Sequence, residues 1–408
     1  MRAQIALFLA LAANATGQSF LLVILPPLGR QLGFPDIQTG LILSVSALLL
    51  LVSAPAWGYL SERIGRRPVL IIALACAVLA LGAFGLVIDA RIAGTVAATM
   101  ALGLVFAIRS GQAIMSGGLM PAAQAYMADV TTPEGRASGM GLLGAAYGLG
   151  VIAGAAVAWG MGGGGAVLAF WLLAALASLG FLGVLLFVSE PNRRATPATS
   201  AVTHLPIAEI WPFLAITLGA VSCSSMLQQV TALRLQDALH VPPEGSIAKA
   251  GAALMATALV MIVVQGAVLR FLTWTPQRLL RAGALLAAFA MLLGGLARSY
   301  AEIFAALVLF GAAMGLMLPG NLAALSLRVG RDAQGKAAGL NALGQGAGMA
   351  VGPLAGASLH QVAPEAPFAV ATILLALAFW LAVVASRVPP KCRKQPHAKQ
   401  PTTTNYQE

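Results

Sequence analysis

Long apolar runs recur twelve times along this chain, separated by short polar intervals. A helix that crosses a bilayer needs about 20 mainly apolar residues, and in hydrocarbon only helices and closed barrels satisfy their backbone groups. The runs cover about 4–28, 39–60, 69–89, 96–128, 137–160, 165–188, 211–233, 249–271, 279–297, 301–327, 337–359 and 366–386. Hydrophobic residues make up 59% and charged residues 9% of the 408 positions, so lipid is the main solvent. The pattern predicts an all-α polytopic membrane protein with twelve transmembrane helices.

The first run also has features of a secretory signal, because Arg2 precedes it and Ala13-Asn14-Ala15 has the small residues of a cleavage site. Apolar character resumes from Phe20 to Leu25, which extends the run to the length of a spanning helix. We therefore interpret it as the first transmembrane helix.

The basic residues predict the orientation. With the amino terminus in the cytoplasm, 18 of the 24 Lys and Arg residues fall on the cytoplasmic side, five on the other side, and Arg109 inside the membrane. Cytoplasmic loops are enriched in Lys and Arg, so we expect both termini to be cytoplasmic. The net charge of +11 is spread over short loops, which argues against a nucleic-acid surface.

The longest polar interval divides the chain into two halves. Residues 189–210 are rich in Pro, Thr, Ser and basic side chains, which is typical of a linker. It separates an N-terminal six-helix bundle, residues 1–188, from a C-terminal one, residues 211–386, and a basic cytoplasmic tail follows at 387–408. Three glycines recur at an offset of 200, namely Gly139, Gly144 and Gly148 as Gly339, Gly344 and Gly348. This repeat predicts two pseudo-symmetric halves.

The interval between the second and third runs, GYLSERIGRRPVL, places one carboxylate and three guanidinium groups within six positions. So much charge must lie in water at a membrane face. Its spacing resembles the signature loop between the second and third helices of the major facilitator superfamily, although the family more often has Asp at the acidic position. The matching residues are Gly58, Glu62, Arg63, Gly65, Arg66, Arg67 and Leu70.

The fourth run and the loop after it extend the resemblance to the drug/proton antiporter branch, which includes the tetracycline exporters. The matching residues are Arg109, Ser110, Gly111, Gln112, Gly117, Leu119, Met120, Pro121, Tyr126, Asp129 and the stretch Thr132 to Arg136, with Ala113 in place of a usual glycine. The resemblance implies a monomeric transporter of the bacterial-type inner membrane that exports a small solute by alternating access. The single cation Arg109 in an interior without acids favours an anionic or amphipathic solute. A drug-like compound, a metabolite and a siderophore all fit that class. Uptake by the same fold is the alternative.

The resemblance also implies coupling to a proton gradient, but the sequence has no embedded carboxylate to carry the proton. The first-helix acid of the tetracycline exporters aligns with Asn14, which cannot titrate. Asp36 and Asp129, at segment ends, remain candidates. The branch's fifth-helix glycine signature is best matched in the eleventh run, by Gly348, Gly352, Pro353 and Gly356, where close helix packing is the favoured explanation, so these residues alone do not establish antiport.

Polar side chains inside the runs indicate a substrate cavity, because amides and charges exposed to lipid are costly. The predicted cavity residues are Arg109, Gln112, Ser116, Asn14, Gln18, Gln228, Asn321 and Gln345. Arg109 lies about thirteen residues into its run, where a charge costs at least roughly 2.5–3.5 kcal/mol on insertion scales. We expect Gln18 and Gln112, or an anionic group of the solute, to hold it.

The signature loop predicts a conformational gate formed by Gly58, Glu62, Arg63, Gly65, Arg66, Arg67 and Asp129. From the family we expect Glu62 near the start of the eleventh helix, around Ala337 to Gly339, where the helix dipole favours a carboxylate. Asp129 is expected to pair with Arg66 or Arg67.

A membrane-embedded enzyme is the competing function class. It requires a nucleophile with a base, or clustered His, Asp and Glu, and the sequence indicates neither. The four histidines are assigned to loops or the tail, and Cys76, Cys223 and Cys392 have neither disulfide nor metal-ligand spacing. We therefore predict no cofactor and no metal, with a small solute and the bilayer as partners.

Overall fold

The structure is a computed structural model that describes residues 2–132, 135–161, 165–191, 205–330 and 333–387. Most of the predicted linker and nearly all of the predicted tail, residues 192–204 and 388–408, lie outside the described residues.

Every regular element in the described ranges is helical. The N-terminal half contains α1 (Arg2–Gln31), α2 (Asp36–Ile64), α3 (Arg66–Ile92), α4 (Ala98–Ser116), α5 (Leu119–Val130), α6 (Arg136–Met161) and α7 (Ala166–Phe187). The C-terminal half contains α8 (Ile207–Asp237), α9 (Pro243–Val263), a π-helical turn (Val264–Val268), α10 (Leu269–Phe271), α11 (Pro276–Leu296), α12 (Tyr300–Ser326), α13 (Gln334–Val362) and α14 (Ala366–Arg387).

These helices form twelve crossings, since α4 and α5 make one crossing together, as do α9, the π-helical turn and α10. We call the membrane face at which α1 begins the near face and the one at which it ends the far face. Eleven crossings are long and apolar enough to span a bilayer, and α13, rich in Gly and amides, falls below that hydropathy. Its glycines pack on α8 and α2, so less of its surface needs to be apolar.

Each half has its own hydrophobic core. In the C-terminal half Phe213, Met291 and Phe368 belong to one continuous cluster. The N-terminal half has two clusters, one around Phe20 and one around Leu70. Most buried apolar side chains thus pack within one half, although Ile247 of α9 joins the Phe20 cluster.

Glycines bring α6 against α1 and α13 against α8. A Cβ at Gly150 would lie 2.5 Å from the Ala12 carbonyl oxygen, and one at Gly352 would lie 2.6 Å from the Ser222 carbonyl oxygen. Small residues let helix backbones approach closely in a bilayer. In this structure the glycine signature of the eleventh run therefore serves helix packing.

The two halves meet toward the far face and separate toward the near face. On the far side, a Cβ at Gly40 of α2 would lie 2.8 Å from Ala357 of α13, and one at Gly251 of α9 would lie 2.6 Å from the Trp159 nitrogen of α6. At the near-face ends, the Cβ positions of Gly58, Gly144 and Gly339 have no neighbouring atom within 4 Å. An opening between the halves therefore faces the near side.

The fourth run is broken rather than continuous as its sequence predicted. α4 ends at Ser116 and α5 begins at Leu119. The two glycines between them are tightly packed, since a Cβ at Gly117 would clash with the Ser53 hydroxyl of α2 and one at Gly118 would lie 2.7 Å from Val69 of α3. The Trp57 indole of α2 donates a 2.6 Å hydrogen bond to the Ile114 carbonyl beside the break. This contact satisfies a backbone acceptor near the interruption.

Candidate functional site

Arg109 is the charged group at the centre of the N-terminal half. Its side chain is 7% exposed, and its Nη1 donates to Gln18 Oε1 of α1 at 2.5 Å and to Gln112 Oε1 of α4 at 2.8 Å. These are the two amides expected to hold it. Hydrogen bonds to a charged group contribute about 1.5–3 kcal/mol each, which offsets much of its insertion cost.

The opposite edge of the guanidinium is not satisfied in this way. Arg109 Nε is buried and has no hydrogen-bond partner. A guanidinium presents its N–H groups as a planar fork that matches a carboxylate or phosphate. Since both amides bind Nη1, the Nε atom makes no hydrogen bond of its own in this state.

Tyr147 of α6 is a residue of the opening that the sequence analysis missed. α6 contacts α1 through Gly150 and α9 through Gly148. Successive residues of an α-helix are rotated by about 100°, so the Tyr147 side chain points between the directions of these two glycines. It is 41% exposed although it interacts electrostatically with Arg109. The phenol therefore faces the interior between the halves, where it can donate a hydrogen bond.

The other predicted cavity residues of the N-terminal half lie around Arg109. Asn14 and Gln18 are half-buried and one turn apart on α1. Gln112 and Ser116, on one face of α4, are 4% and 7% exposed, and the Ser116 hydroxyl has no hydrogen-bond partner. Together they give a polar wall with a single cation.

The C-terminal candidates are more dispersed. Gln345 on α13 is exposed and Gln228 on α8 is half-buried. Asn321 is 1% exposed, and its amide donates to the Phe213 carbonyl and the Thr217 hydroxyl, both at 2.8 Å. In this state Asn321 joins α12 to α8 instead of lining the opening.

The signature loop is fixed at the near face by an acid that the sequence did not indicate. Glu190 accepts hydrogen bonds from the backbone N–H groups of Arg66 at 2.8 Å and Arg67 at 2.9 Å, at the start of α3. A carboxylate there also interacts favourably with the helix dipole. Gly65 has φ +110°, and its Cβ would lie 2.7 Å from Glu190, so glycine is required on both counts.

Among the predicted gating pairs, Arg66 Nε lies 3.5 Å from Asp129 Oδ2. Arg67 instead donates to the Leu185 carbonyl at 2.9 Å. Arg63 stacks over the Tyr59 ring, 4.5 Å from its centroid, and bonds its hydroxyl. Glu62 is exposed on the last turn of α2, and its approach to Ala337–Gly339 stays a prediction for a state closed at the near face.

At the far face four charged or titratable groups, Arg30, Asp36, Asp237 and His360, form what we call the far-face cluster. Arg30 binds Asp36 through two contacts of 2.6 and 2.7 Å and Asp237 through two of 2.7 Å. His360 Nε2 lies 2.8 Å from Asp237 Oδ2. Arg30 and Asp36 belong to one half and the other two residues to the other half, so the cluster bridges the halves.

Two assignments from the sequence are wrong at this face. His360 was placed in a loop but lies in the last turn of α13, 4% exposed. Arg234 is one of the five basic residues assigned above to far-side loops, yet it is 1% exposed within α8 and donates to the carbonyls of Gly295 and Ala297. In both cases the helix continues beyond the apolar run, and the polar side chain contacts the end of another helix.

Among the residues that the structure describes, no group of three or more His, Cys, Asp or Glu side chains could hold a metal ion.

Comparison with known proteins agrees with this architecture. The model of the Major Facilitator Superfamily matches residues 7–287 and 272–408. Tetracycline resistance protein class C of Escherichia coli is 35% identical over 144 residues, 35% of this chain and 33% of that protein. The match thus spans about a third of that relative's length. Multidrug resistance protein 1 of Bacillus subtilis (strain 168) is 25% identical over 372 residues, 90% of this chain and 92% of that protein.

The fold is also found in solved structures. A bacterial homolog of the human lysosomal transporter Spinster, in an inward-facing and occupied conformation, has a TM-score of 0.72 at 18% identity and covers 96% of this chain and 98% of that one. The family match covers nearly the whole sequence, and the helices repeat the fold of membrane transporters. This chain is therefore a member of the Major Facilitator Superfamily, a multi-pass membrane transporter rather than an enzyme.

Proposed function

We propose that this transporter exports a small anionic or amphipathic solute by alternating access, with a proton gradient as the driving force. The similarity to tetracycline and multidrug resistance proteins favours export over uptake. On this proposal the near face is cytoplasmic, both termini lie in the cytoplasm, the membrane is a bacterial-type inner membrane, and the monomer is the working unit.

One observation carries the substrate class: the buried, unpartnered Nε of Arg109. A solute carboxylate placed there would form charge-assisted hydrogen bonds with the Nε edge while Gln18 and Gln112 keep Nη1 in place. The Tyr147 hydroxyl would donate to the same group. A lipophilic cation would instead meet repulsion from Arg109 in a wall with no embedded acid among the described residues.

The signature loop would control the near face in the opposite state of the cycle. There Glu62 would approach the amino-terminal end of α13, around Ala337–Gly339, while Arg66 keeps its contact with Asp129. Glu62→Gln should then shift the population toward the state open at the near face. Cysteine accessibility measured from each side would test this, and an unchanged pattern in a well-expressed variant would exclude the lock.

The function is tested by solute flux in proteoliposomes. The probes are a panel of amphipathic carboxylates and their neutral amides, beginning with dansylglycine and dansylglycinamide. We expect the carboxylates to be carried and the amides to be carried much more slowly. Arg109→Ala should abolish carboxylate flux, and Arg109→Lys, which keeps the charge but loses the planar fork, should weaken it.

Arg270→Ala is the matched control, because Arg270 is an exposed arginine on the near side of the other half. It should transport at the wild-type rate. Wild-type flux from a monodisperse Arg109→Ala protein, or faster transport of cations and amides than of carboxylates, would refute the assignment.

A further inference from the structure

A groove with a volume of about 330 Å³ lies between α1, α6 and α7. Small residues such as Ala6, Ala13 and Gly150 form its floor, and exposed leucines of the three helices form its rims. Of these leucines, Leu9 is 57% and Leu179 is 68% exposed. A buried water needs only about 10–15 Å³, so the groove is far larger than a packing defect.

The groove opens on the outer surface of the N-terminal half. Leu149, which lines it, and Tyr147 are two positions apart on α6, so their side chains point about 160° apart around the helix axis. Tyr147 faces the interior between the halves. Leu149 and the groove therefore face away from the solute pathway, toward the hydrocarbon of the bilayer.

The length of the groove matches one leaflet. The lining residues of α1 run from Ala6 to Thr16, which is about 15 Å at 1.5 Å per residue. α1 begins at the near face with Arg2, and Thr16 is at its middle. Half of the hydrocarbon core is also about 15 Å thick. The groove therefore has the length and depth of one acyl chain in the near leaflet.

The chemistry of the lining suits a hydrocarbon chain. None of the described residues that line the groove is charged, and the Thr16 hydroxyl already donates to the Ala12 carbonyl at 2.8 Å. A solute carboxylate would lose its hydration there without gaining a hydrogen-bond donor, whereas an acyl chain needs none. The groove is thus unsuited to the anionic solute of the transport pathway.

Arg2 lies at the near-face end of the groove. It precedes Ala6 by four positions, so Arg2, Ala6 and Leu9 share one face of α1. Arg2 is exposed and forms no ion pair with the residues that the structure describes. Its guanidinium matches the geometry of a phosphate. A lipid whose chain fills the groove would therefore place its headgroup at a free cation.

We propose that the groove and Arg2 form a binding site for one anionic phospholipid of the near leaflet. The acyl chain occupies the groove, and the phosphate group binds Arg2. A zwitterionic lipid would bring its own cation toward Arg2, so a lipid with a net negative headgroup binds more tightly.

The position of the site defines what the lipid does. α1, α6 and α7 belong to one half, so the lipid moves with that half and stays bound in both states of the transport cycle. It fills the outer side of the α1–α6 contact, and the inner side of these helices carries Gln18 and Tyr147. The site depends neither on the solute nor on the direction of transport.

Photo-crosslinking locates the lipid on the wild-type protein. The probe is a phosphatidylglycerol with a diazirine group in the middle of one acyl chain, added to the purified transporter in detergent. We expect mass spectrometry to find the label on the near-side halves of α1 and α6 and on α7, and unlabelled phosphatidylglycerol to displace it.

Three results of this experiment would overturn the proposal. Label spread evenly around the transmembrane surface would show that lipids only surround the protein without a defined site. Displacement of the label by dansylglycine would assign the groove to the solute. A crosslink-free groove in a protein that runs as a dimer would assign it to a second copy of the chain.

Competition with unlabelled lipids measures the headgroup preference at the same site. With identical acyl chains, phosphatidylglycerol should compete about fivefold better than phosphatidylcholine in wild type, the factor expected for one basic residue. Arg2→Gln should remove this preference. Arg270→Gln is the matched control, because Arg270 is an exposed near-face arginine of the other half, and it should keep the preference. Equal competition in wild type, or a preference that survives in Arg2→Gln, would contradict the role of Arg2.

A groove-filling variant tests the place of the chain. Ala153→Phe puts a ring into the groove from α6 and should lose the label for both lipids. Ala376→Phe, at an exposed position on α14, should be labelled as in wild type and serves as the control. Undiminished labelling of α1 and α7 in a monodisperse Ala153→Phe protein would contradict the proposal, and the wild-type crosslinks decide it independently if that variant does not fold.

Discussion

Removal of the Arg30 side chain should increase the population of molecules that are open at the far face. In Arg30→Ala, the two 2.7 Å contacts with Asp237 and the 3.2 Å contact with Gln236 are lost, and these are the Arg30 contacts that cross between the halves. The contacts with Asp36 lie within one half and do not hold the halves together.

The size of the effect follows from exposure. The Arg30 and Asp237 side chains are 26% and 37% exposed, so water screens the pair and the value of a fully buried ion pair does not apply. With bidentate geometry, the crossing contacts contribute about 1–2 kcal/mol, which changes the ratio of far-closed to far-open molecules about 5–30-fold.

Spin-label distances between Gln31→Cys and Gln361→Cys, on a background without the native cysteines, measure that ratio. We expect a larger far-open population in Arg30→Ala and no change in Arg298→Ala, which removes another far-face arginine. An Arg30→Ala distribution identical to wild type would refute the view that this cluster holds the far face closed.

Three further predictions concern packing, the loop and the solute site. Gly154→Leu should lower the thermal stability of the purified protein by about 1–3 kcal/mol, since its side chain would meet the Thr16 carbonyl; Gly144→Ala, with open space around it, should unfold at the wild-type temperature. Gly65→Ala should destabilise by about 1–3 kcal/mol through its positive φ, and an unchanged melting temperature would argue against the strained loop. Tyr147→Phe should weaken dansylglycine binding about 3–10-fold without changing stability, as expected for one lost hydrogen bond, and equal affinities in fluorescence titration would remove Tyr147 from the site.

The fold could be predicted from the sequence because the bilayer imposes a length and an apolar composition on each crossing. The hydrogen-bond partners of Arg109 could be predicted for a related reason. A cation inside a membrane needs polar neighbours, and few amides lie at the same depth, so Gln18 and Gln112 were identifiable without coordinates.

Contacts between residues far apart in the sequence could not be predicted in this way. Glu190 lies 124 positions from Arg66 and beyond the last helix of its half, so nothing local indicates that it caps α3. His360 follows an apolar run and was therefore assigned to a loop. An apolar run shows only which residues cross the hydrocarbon, and α13 continues beyond it to Val362. Tyr147 lies among glycines of α6, and only the packing of that helix on α1 and α9 shows which way it faces.

The central claim is that the free edge of Arg109 binds the anionic group of the solute. Fluorescence titration of purified protein with dansylglycine and dansylglycinamide tests it directly, because the two probes differ mainly in charge. We expect wild type to bind the carboxylate at least about tenfold more tightly than the amide, a difference of about 1.4 kcal/mol, and Arg109→Gln to bind the two probes equally. Equal affinities in wild type, or a carboxylate preference that survives in Arg109→Gln, would contradict the account.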